Sequence, residues 1–595
     1  MNSAPTRKPG EAANTARHTR IDGIVFDGHW SWLHTPDDGS QIQGSVLLCA
    51  PLGREARNAH RSLWLFAQHL SADGFAVLRY DHRDTGESLP LPDDADHWTA
   101  WLEGVENAAH ALRQRAAASG LVLAGLRIGA SLAALAAEKL EPDAAMLLEP
   151  VLKGRTWLRE MQIETGLRAG QFVETDRGLD ADGLWLGNKT IKSLMPFDLT
   201  RLAWIPPNVF LASRSKEDAL LGRLRALGAD VCTAGFAGYQ DLFKDAYRNE
   251  HPRALFAEAQ SWLKQISRDW EPKTTKSRAE PATLDLPDGT ERAVTFGCGQ
   301  RGMLTVPFAP RPKREAVIFI NGGGDPRAGI GGFATAACRE LCRRGIGSLR
   351  FDLRGFGDSD FAPDWRSHVY ETPRDAEFDA AIALLLAEGF KHLTIAGLGS
   401  AGYHAIDVAG RDARISCVYS INAAVLAWRR GDPLDPPPSA DGRNQPWPRD
   451  AGPSPYGRWQ RALRGDISVR SVLLNSFKRF ERRMFLRLNP GQTHALRQKM
   501  RHIAARGGSI RLVMGAADCS LDELEAHFGR DGRWLAKLPH ISVRIVDGLD
   551  HGLLSRGSRR AALKDFLTYM DFGTAASSRA HQVVRPAGME SSART

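Results

Sequence analysis

The feature that most constrains this 595-residue chain is an internal duplication of three segments in the same order. The segments GSVLLCAPLG, FAVLRYDHRDTGES and LVLAGLRIGASLAALAA recur as AVIFINGGG, IGSLRFDLRGFGDSD and LTIAGLGSAGYHAIDVA. Pro51 and Asp81 are 30 positions apart, and their counterparts Asn321 and Asp352 are 31 positions apart. Order and spacing together predict two copies of one unit. Asp81 and Asp352 are expected to be structural, with carboxylates that hold the following turn by hydrogen bonds to its backbone.

Each copy predicts a parallel sheet covered by helices. Short apolar strands such as VLLCA and VIFI end in turns rich in proline or glycine, and predicted helices follow over His60–Leu70 and Thr335–Arg343. Strands that alternate with helices are joined by right-handed crossovers into a sheet buried on both faces. We therefore expect an α/β fold of two tandem domains, each a mostly parallel sheet flanked by helices and carrying a cap insertion.

Polar segments mark the predicted domain boundaries. The segment SRDWEPKTTKSRAEPAT between the copies is charged and contains proline, which is typical of a linker. The predicted division is a disordered lead-in over 1–20, domain 1 over 21–265, a linker over 266–282, domain 2 over 283–572, and a disordered tail over 573–595.

An insertion after the third matched strand of each copy predicts a cap over the sheet. The second cap, at about 420–505, is the longer one and carries arginines and lysines between Arg458 and Arg487. This basic stretch is interpreted either as a solvated helical face or as a surface for an anionic partner, such as membrane lipid or a phosphorylated substrate.

A strand, a sharp turn and a helix with small residues around the turn predict a nucleophile elbow in each copy. In the first copy, Gly125–Gly129 puts Arg127 at the apex, and an arginine cannot attack a carbonyl group. In the second copy, Gly397–Ala401 puts Gly399 at the apex and Ser400 one position beyond it. Ser400 is either the nucleophile, after a shift of frame, or a serine that caps the start of the helix.

The second copy retains the other parts of a hydrolytic site. Where such an elbow is used, an acid and then a histidine follow the nucleophile along the chain. The turn after RLVMG carries Asp518, and the turn DGLDHG carries His551, so these residues are the predicted acid and base. The predicted oxyanion turn and pocket consist of Gly322, Gly323, Gly324 and Gly399.

The first copy retains less of this machinery. Asp218 lies near the position of the acid, but Tyr239 and Gln240 stand where the histidine is expected, and His251 comes later. Domain 1 is therefore predicted to be inactive. Arg127, with Gly53 in the same pocket, is expected either to bind a carboxylate or phosphate group or to form a salt bridge with a cap residue.

The duplicated segments resemble the serine aminopeptidase-like α/β-hydrolases, particularly the hydrolases associated with bacterial exosortase and exopolysaccharide loci. The resemblance rests on APLGREARNAHR, FAVLRYDHRDTGES, AGLRIGAS, INGGGDPRAG, SLRFDLRGFGDSD and DGLDHG, and covers about 500 residues. It implies that Gly53 and Gly322–Gly324 are oxyanion-turn positions and that Asp518 and His551 are the acid and the base. The chain departs from the family pattern at both elbows, and a fold alone does not decide function.

Composition narrows the class of protein. The chain is 43% hydrophobic and 25% charged, which is typical of a globular protein, and its polar N-terminal segment lacks the apolar run of a secretory signal. The net charge of +9 comes from dispersed arginines and does not predict specific nucleic-acid binding. The seven cysteines include no C-x-x-C pair, and the spacing of Cys338 and Cys342 is attributed to packing. We therefore expect a cytoplasmic protein without a transmembrane segment, metal or cofactor.

Two functions are the leading hypotheses, and a third is the binding of anionic membrane or nucleic acid through the basic cap. The first is hydrolysis of an ester, thioester or amide, or acyl transfer, by Ser400, His551 and Asp518, with a small acyl or carbohydrate-linked substrate from surface-polysaccharide or cell-envelope metabolism. The second is a catalytically inactive pseudohydrolase that binds a ligand or a partner. The sequence predicts no oligomeric state.

Overall fold

The computed structural model describes residues 19–36, 41–116, 118–169, 174–175, 177–215, 219–274, 282–360, 369–370, 374–429, 490–516 and 518–572. Asp218, most of the second cap with its basic stretch, and the predicted lead-in and tail lie outside these residues, except for the last two positions of the lead-in. Among the helices that the structure describes, none combines the length and hydrophobicity needed to cross a bilayer.

The elements of the first half form one large sheet and its covering helices, which we call the first unit. In chain order they are β1 (Thr19–Phe26), β2 (His29–Pro36), β3 (Gln41–Ile42), β4 (Gly44–Cys49), α1 (Gly53–Ala72), β5 (Phe75–Tyr80), α2 (His97–Arg115), β6 (Leu121–Leu126), α3 (Ile128–Leu140), β7 (Ala144–Leu148), α4 (Gly154–Ala169), β8 (Glu174–Thr175), β9 (Gly178–Ala181), β10 (Leu184–Gly187), α5 (Asn188–Leu194), β11 (Asn208–Ser213), α6 (Ala219–Ala226), β12 (Asp230–Gly235), α7 (Tyr239–Leu242), α8 (Arg253–Ile266) and β13 (Lys273–Thr274).

The second half repeats this arrangement as the second unit. Its strands and α-helices are β14 (Thr283–Leu286), β15 (Gly289–Phe296), β16 (Gln300–Pro307), β17 (Glu315–Ile320), α9 (Phe333–Arg343), β18 (Gly347–Phe351), α10 (Asp375–Ala387), β19 (His392–Leu398), α11 (Ser400–Arg411), β20 (Ile415–Ile421), α12 (Pro490–Ala505), β21 (Ser509–Gly515), α13 (Ser520–Phe528), β22 (Ile541–Val546) and α14 (Arg556–Phe572).

The two large sheets share one strand order. The first sheet runs β1-β2-β5-β4-β6-β7-β11-β12, and the second runs β15-β16-β18-β17-β19-β20-β21-β22 with β14 added at the edge. In both sheets the leading strands pair antiparallel and the remaining strands pair parallel. The predicted fold class is confirmed: the chain is an α/β protein with two mostly parallel sheets, each flanked by helices.

Strand burial explains why both sheets are covered on both faces. All six residues of β4 and all six residues of β6 are buried, as two-sided packing requires. The helix predicted from His60 begins earlier, at Gly53, because α1 starts directly at the turn after β4. The carboxyl ends of the parallel strands therefore meet the first turns of α1, α3, α9 and α11, where ligands bind in such sheets.

The insertion of the first unit is a small antiparallel sheet placed between β7 and β11. It consists of β8, β9 and β10, with α4 before it and α5 after it. Part of the predicted linker also packs on the first unit, since Lys273 pairs with Ile42 and a Cβ at Gly44 or Gly120 would collide with the ring of Trp270.

The duplicated aspartates hold equivalent turns, as expected. Asp81 Oδ2 accepts the N–H of Glu87 at 2.8 Å, and Asp352 Oδ2 accepts the N–H of Asp358 at 3.0 Å. Both turns follow the strand that lies beside β4 or β17. They consequently present Glu87 and Asp358 at the same place in their respective units.

These two turns meet at the contact between the units, where an arginine of each unit pairs with a carboxylate of the other. Arg79 of the first unit donates to Asp358 of the second at 2.8 Å, and Arg350 of the second unit donates to Glu87 of the first through Nε at 2.9 Å. Arg327 contacts both Glu87 at 3.1 Å and Asp358 at 2.9 Å. All of these side chains are nine-tenths or more buried.

Apolar packing accompanies these ion pairs. Trp30 and Trp32 of β2 form one buried cluster with Leu284 of β14 and Met303 of β16. Burial of such large side chains contributes about 1.5–3 kcal/mol each. The two units therefore share a small core as well as an ionic network.

Removing one arginine from this network should destabilise the whole chain. In Arg350→Ala, buried Glu87 and Glu291 would each lose one of two arginine partners, and we expect a loss of about 3–5 kcal/mol in the free energy of unfolding. Chemical denaturation monitored by circular dichroism measures the shift. Arg201→Ala removes an arginine that is 86% exposed from its pair with Asp198 and should change little. Equal shifts in the two variants would contradict this account of the interface.

Candidate functional site

Both predicted elbows are present, and both have the same strained backbone. Gly399 ends β19 with φ 58° and ψ −121°, and Arg127 ends β6 with φ 55° and ψ −124°. The N–H of Gly399 donates to Ile421 at 2.8 Å, and that of Arg127 donates to Leu148 at 2.9 Å. The apex positions are thus those predicted. Since Arg127 is not a glycine, its positive φ stores strain of about 1–3 kcal/mol.

Small residues are required around the second elbow. A Cβ at Gly397 would lie 2.4 Å from the carbonyl oxygen of Ala401, so a larger residue cannot occupy this position. A Cβ at Gly399, in contrast, would meet nothing within 4 Å. The apex therefore faces open space where a nucleophilic side chain would project.

In the first unit the apex side chain is bound by two carboxylates. Arg127 Nε donates to Glu55 at 2.7 Å, and Nη2 donates to Glu160 at 2.8 Å. Glu160 belongs to α4 in the cap insertion, so of the two expected roles the structure has the salt bridge to a cap residue. Burial opposes the charge of Arg127, but Glu55 raises its pKa above the ordinary value. An anionic ligand would have to displace these carboxylates.

Asp218 lies outside the described residues, and the other predicted residues of the first unit make separate contacts. Gly53 has φ +58° at the start of α1, and a Cβ there would lie 3.3 Å from Leu184 of the cap. Tyr239 stands beside Arg127, whose guanidinium lies 5.9 Å from the centroid of its ring. His251 pairs with Ser62 of α1 at 2.7 Å. The elbow of the first unit is an ionic anchor between α1 and the cap.

In the second unit Ser400 lies beside the elbow apex and contacts the glycine turn. It is the first residue of α11, behind the apex, and no side-chain cap bond is present at this helix start. Its Oγ accepts the N–H of Gly323 at 2.9 Å. Among the described residues, no hydrogen bond joins Ser400 to His551. The nucleophile assignment therefore stays a prediction.

The glycine turn presses against this elbow. A Cβ at Gly322 would lie 2.3 Å from the carbonyl oxygen of Leu398, and a Cβ at Gly324 would lie 2.5 Å from the ring of Phe356. Gly323 and Gly324 both have positive φ, which glycine adopts without strain. The turn thus brings the N–H of Gly323 to the elbow, where it donates to Ser400 Oγ.

The predicted acid and base of the second unit are bonded to each other. Asp518 Oδ2 lies 2.9 Å from His551 Nδ1, and Asp518 Oδ1 accepts the N–H of Ser520 at 2.8 Å. The Asp518 side chain is fully buried, whereas that of His551 is 34% exposed. This is the geometry of a carboxylate that orients an imidazole.

Electrostatics couples the two groups. The negative charge of Asp518 raises the pKa of His551 well above its ordinary value, against the opposing effect of burial. Burial alone would raise the pKa of Asp518, but the charge of His551 and the hydrogen bonds of the turn hold it below its usual range. Each group therefore stabilises the charged form of the other, a carboxylate beside an imidazolium.

Asn422 was missed by sequence reasoning. It follows β20, is fully buried, and accepts the N–H of Gly515 at 2.8 Å through its side-chain oxygen. Its amide group donates to the carbonyl oxygens of Asp550 at 2.8 Å and His551 at 3.2 Å. Asn422 thus ties together the two turns that carry Asp518 and His551. The signal was a polar residue directly after a buried strand, at the edge of the sheet where sites lie.

A pocket lies beside Ser400 on the side of the glycine turn. Its walls include the apolar residues Ile320, Phe351, Leu353, Phe356 and Val369. His404 also lines it, and burial lowers the pKa of His404 to about 4, so this wall is neutral. Asn321, Asp325 and Asp352 also line this pocket, which has room for little more than one water molecule.

The first unit contributes to the rim of this site. Arg57 of α1 lies 3.5 Å from Asp325, directly after the glycine turn, and Tyr247 would contact a Cβ at Gly323 at 3.7 Å. Near the His551 turn, the N–H of Arg556 donates to Asp180 of the first cap at 2.5 Å. Two separate domains are what the sequence predicts, and that prediction does not include these shared contacts.

No family model matches the sequence, and no curated protein matches it. Solved structures similar to parts of it include the Est1E protein of Butyrivibrio proteoclasticus with ferulic acid bound, at 14% identity over 42% of this chain and 99% of that chain, TM-score 0.32. A serine hydrolase without a lid from Xanthomonas campestris is 16% identical over 42% of this chain and 94% of its own, TM-score 0.26. An esterase of Pyrococcus furiosus is 13% identical over 50% and 98%, TM-score 0.27.

The coupling of Asp518 and His551 is measurable. In Asp518→Asn the negative charge is lost, and the pKa of His551 should fall toward about 6.5, the ordinary value for histidine. NMR titration of the histidine ring signals measures this change, with His551→Gln to assign the resonance. Asp547→Asn removes the same charge from an exposed position in the turn that leads to His551 and should leave the pKa nearly unchanged. An unaltered titration in Asp518→Asn would contradict the ion pair.

Proposed function

We propose that the protein is a hydrolase of esters, thioesters or amides and that the second unit carries the activity. The observation that carries the proposal is the Asp518–His551 bond of 2.9 Å in the unit whose elbow apex is open. Asp518 would orient His551 as the general base, and the Gly322–Gly324 turn would stabilise the oxyanion. Ser400, Asp518 and His551 remain the proposed catalytic residues, with Asn422 as a positioning residue.

The contacts of Ser400 favour water as the attacking group. Ser400 Oγ accepts the N–H of Gly323 and lies behind the apex, where Gly399 leaves room. A water molecule in that space, deprotonated by neutral His551, would add to the substrate carbonyl. The tetrahedral intermediate would then expel the leaving group, which takes up the proton from His551. Ser400 acts as nucleophile only if its O–H donates to His551, a bond that is absent among the described residues.

The lining of the pocket beside Ser400 bears on the charge of the group that binds there. Its apolar walls and neutral His404, together with the carboxyl groups of Asp325 and Asp352, favour an uncharged group over an anion. The resemblance to exopolysaccharide-associated hydrolases suggests that this group is carried by a carbohydrate or another cell-envelope component. All seven cysteines are free thiols, which supports a cytoplasmic setting.

The missing apex side chain supports a second candidate, an inactive protein that binds an acyl ligand. Gly399 cannot form a covalent intermediate, and the first unit has lost the histidine as well. Such a pseudohydrolase would use the same pocket and oxyanion turn to recognise a ligand without turnover. The two experiments below separate these candidates.

Restoring a side chain at the apex should create a reactive serine. The backbone at Gly399 matches that of Arg127, so an L-residue is tolerated there, and its Cβ has space. Gly399→Ser should therefore be labelled by a fluorophosphonate probe, and the label should be lost in Gly399→Ser with His551→Ala. Arg127→Ser is the matched control: it puts a serine at the other apex, which lacks a histidine, and should stay unlabelled. A folded, unlabelled Gly399→Ser variant would refute the placement of the base.

Turnover of p-nitrophenyl esters should depend on His551 more than on Ser400. His551→Ala should lower kcat/KM by about 10²–10⁴-fold, the range of general acid–base catalysis. Because the base must be deprotonated and its pKa is raised, kcat/KM should increase as the pH rises above about 6.5. Ser400→Ala should keep most of the activity if water attacks. A loss as large as that of His551→Ala would make Ser400 the nucleophile, and no turnover in the wild type would favour the pseudohydrolase.

A further inference from the structure

Three metal-binding side chains of different chemistry meet at the edge of the second sheet. Asp518 and Cys519 are adjacent in the turn after β21, and His551 lies in the turn after β22. Asp518 Oδ2 is 2.9 Å from His551 Nδ1, Cys519 Sγ is 4.0 Å from the same nitrogen, and the three ligating atoms all lie within 4.8 Å of one another. We propose that Asp518, Cys519 and His551 bind one Zn²⁺ ion. The proposed hydrolysis gives Cys519 no role and is not needed for this inference.

The separations suit a tetrahedral ion. With zinc bonds of about 2.0–2.3 Å, neighbouring ligand atoms stand about 3.3–3.6 Å apart. The 2.9 Å and 4.0 Å separations lie on either side of this range, so small rotations of exposed Cys519 and part-exposed His551 suffice. A thiolate, an imidazole and a carboxylate are the ligand types that zinc takes in proteins.

The position of the sulfur argues against Cys519 as a nucleophile. In an acid–base–nucleophile arrangement the acid bonds Nδ1 of the histidine and the nucleophile bonds Nε2. Cys519 faces Nδ1, the nitrogen that Asp518 already contacts. A metal cation at that nitrogen could bind all three side chains at once. A proton on Nδ1 forms one strong hydrogen bond, to either Asp518 or Cys519.

The surroundings hold the ligands and leave a way in. The N–H of Ser520 fixes Asp518 Oδ1, which leaves Oδ2 toward His551. Asn422 joins the two turns that carry the ligands. Contacts of this kind orient metal ligands and strengthen binding. Cys519 is exposed, so water has access to a fourth position, as in zinc sites with three protein ligands.

Isothermal titration of the full-length protein, treated with chelator and dialysed, tests the site with Zn²⁺ alone. We expect one ion per chain and a loss of affinity of at least about 10-fold in Cys519→Ser, since even partners outside the ligand set are worth that much. Cys298→Ser is the matched control, because Cys298 is also an exposed cysteine of the second unit. Titration with Co²⁺ should give a sulfur-to-metal charge-transfer absorption in the wild type and Cys298→Ser, but not in Cys519→Ser.

Absence of stoichiometric Zn²⁺ binding, or equal affinity in the wild type and Cys519→Ser, would overturn the proposal. Circular dichroism verifies that each variant is folded, and His551→Gln provides a second, part-exposed ligand position whose loss should weaken binding in the same way. The calorimetric titration and the Co²⁺ absorption both measure metal binding and not hydrolysis. If the protein binds zinc but does not hydrolyse esters, the zinc site stands and the proposed function fails. If it hydrolyses esters but does not bind zinc, the proposed function stands and the zinc site fails.

Discussion

The reciprocal pairing of arginines and carboxylates fixes the position of the two units relative to each other, and the second site lies beside this contact. Arg79 reaches Asp358, and Arg350 reaches Glu87, from equivalent strands to equivalent turns. Charges buried this deeply are tolerated only when they are paired, because an isolated buried ion costs several kcal/mol. His60, Arg79 and Arg327 together hold the pKa of Asp358 well below its usual range, although burial acts in the opposite direction. Each unit therefore supplies the counter-charges that the other needs, and the contact admits little freedom of position.

This contact explains why the rim of the second site contains residues of the first unit. The α1 helix that supplies Arg61 to the carbonyl oxygens of Gly357 and Ser359 also supplies Arg57 to Asp325. The first unit has the backbone geometry of an elbow, with an arginine at its apex. The strain at Arg127 persists because Glu55 and Glu160 bind its side chain on both sides, and two charge-assisted bonds outweigh a penalty of about 1–3 kcal/mol. One unit thus acts as a support and the other keeps an accessible histidine.

The parts that the sequence predicted well are those set by local pattern. Buried strands, glycine turns and the two apex positions follow from short segments, and the structure has Gly399 and Arg127 at those apexes. The partner of a side chain is a different matter. Which groups Arg127 and Ser400 contact depends on elements far away in the chain, since Glu55 lies in α1 and Gly323 follows β17. Glu87 and Asp358 recur at matching positions, and a comparison of the copies could have singled them out, yet their pairing across the contact needs three-dimensional information.

The stability that the Asp518–His551 pair contributes and the basicity of His551 depend on pH in opposite directions. Because the pKa of His551 is raised in the folded state, its ion pair contributes stability that is fully present below the unfolded value of about 6.5 and is lost as the pH rises through the raised value. Asp518, whose pKa is lowered, contributes stability above about 3.8, and this contribution is lost as the pH falls through its folded value. A general base must be neutral, so the imidazolium that favours the fold is the form that cannot accept a proton. Asn422 relieves part of this conflict, since its bonds to Gly515 and to the carbonyl oxygen of His551 do not depend on the charge of the ring. The two turns stay joined when His551 loses its proton, and the ring remains oriented in the form that hydrolysis requires.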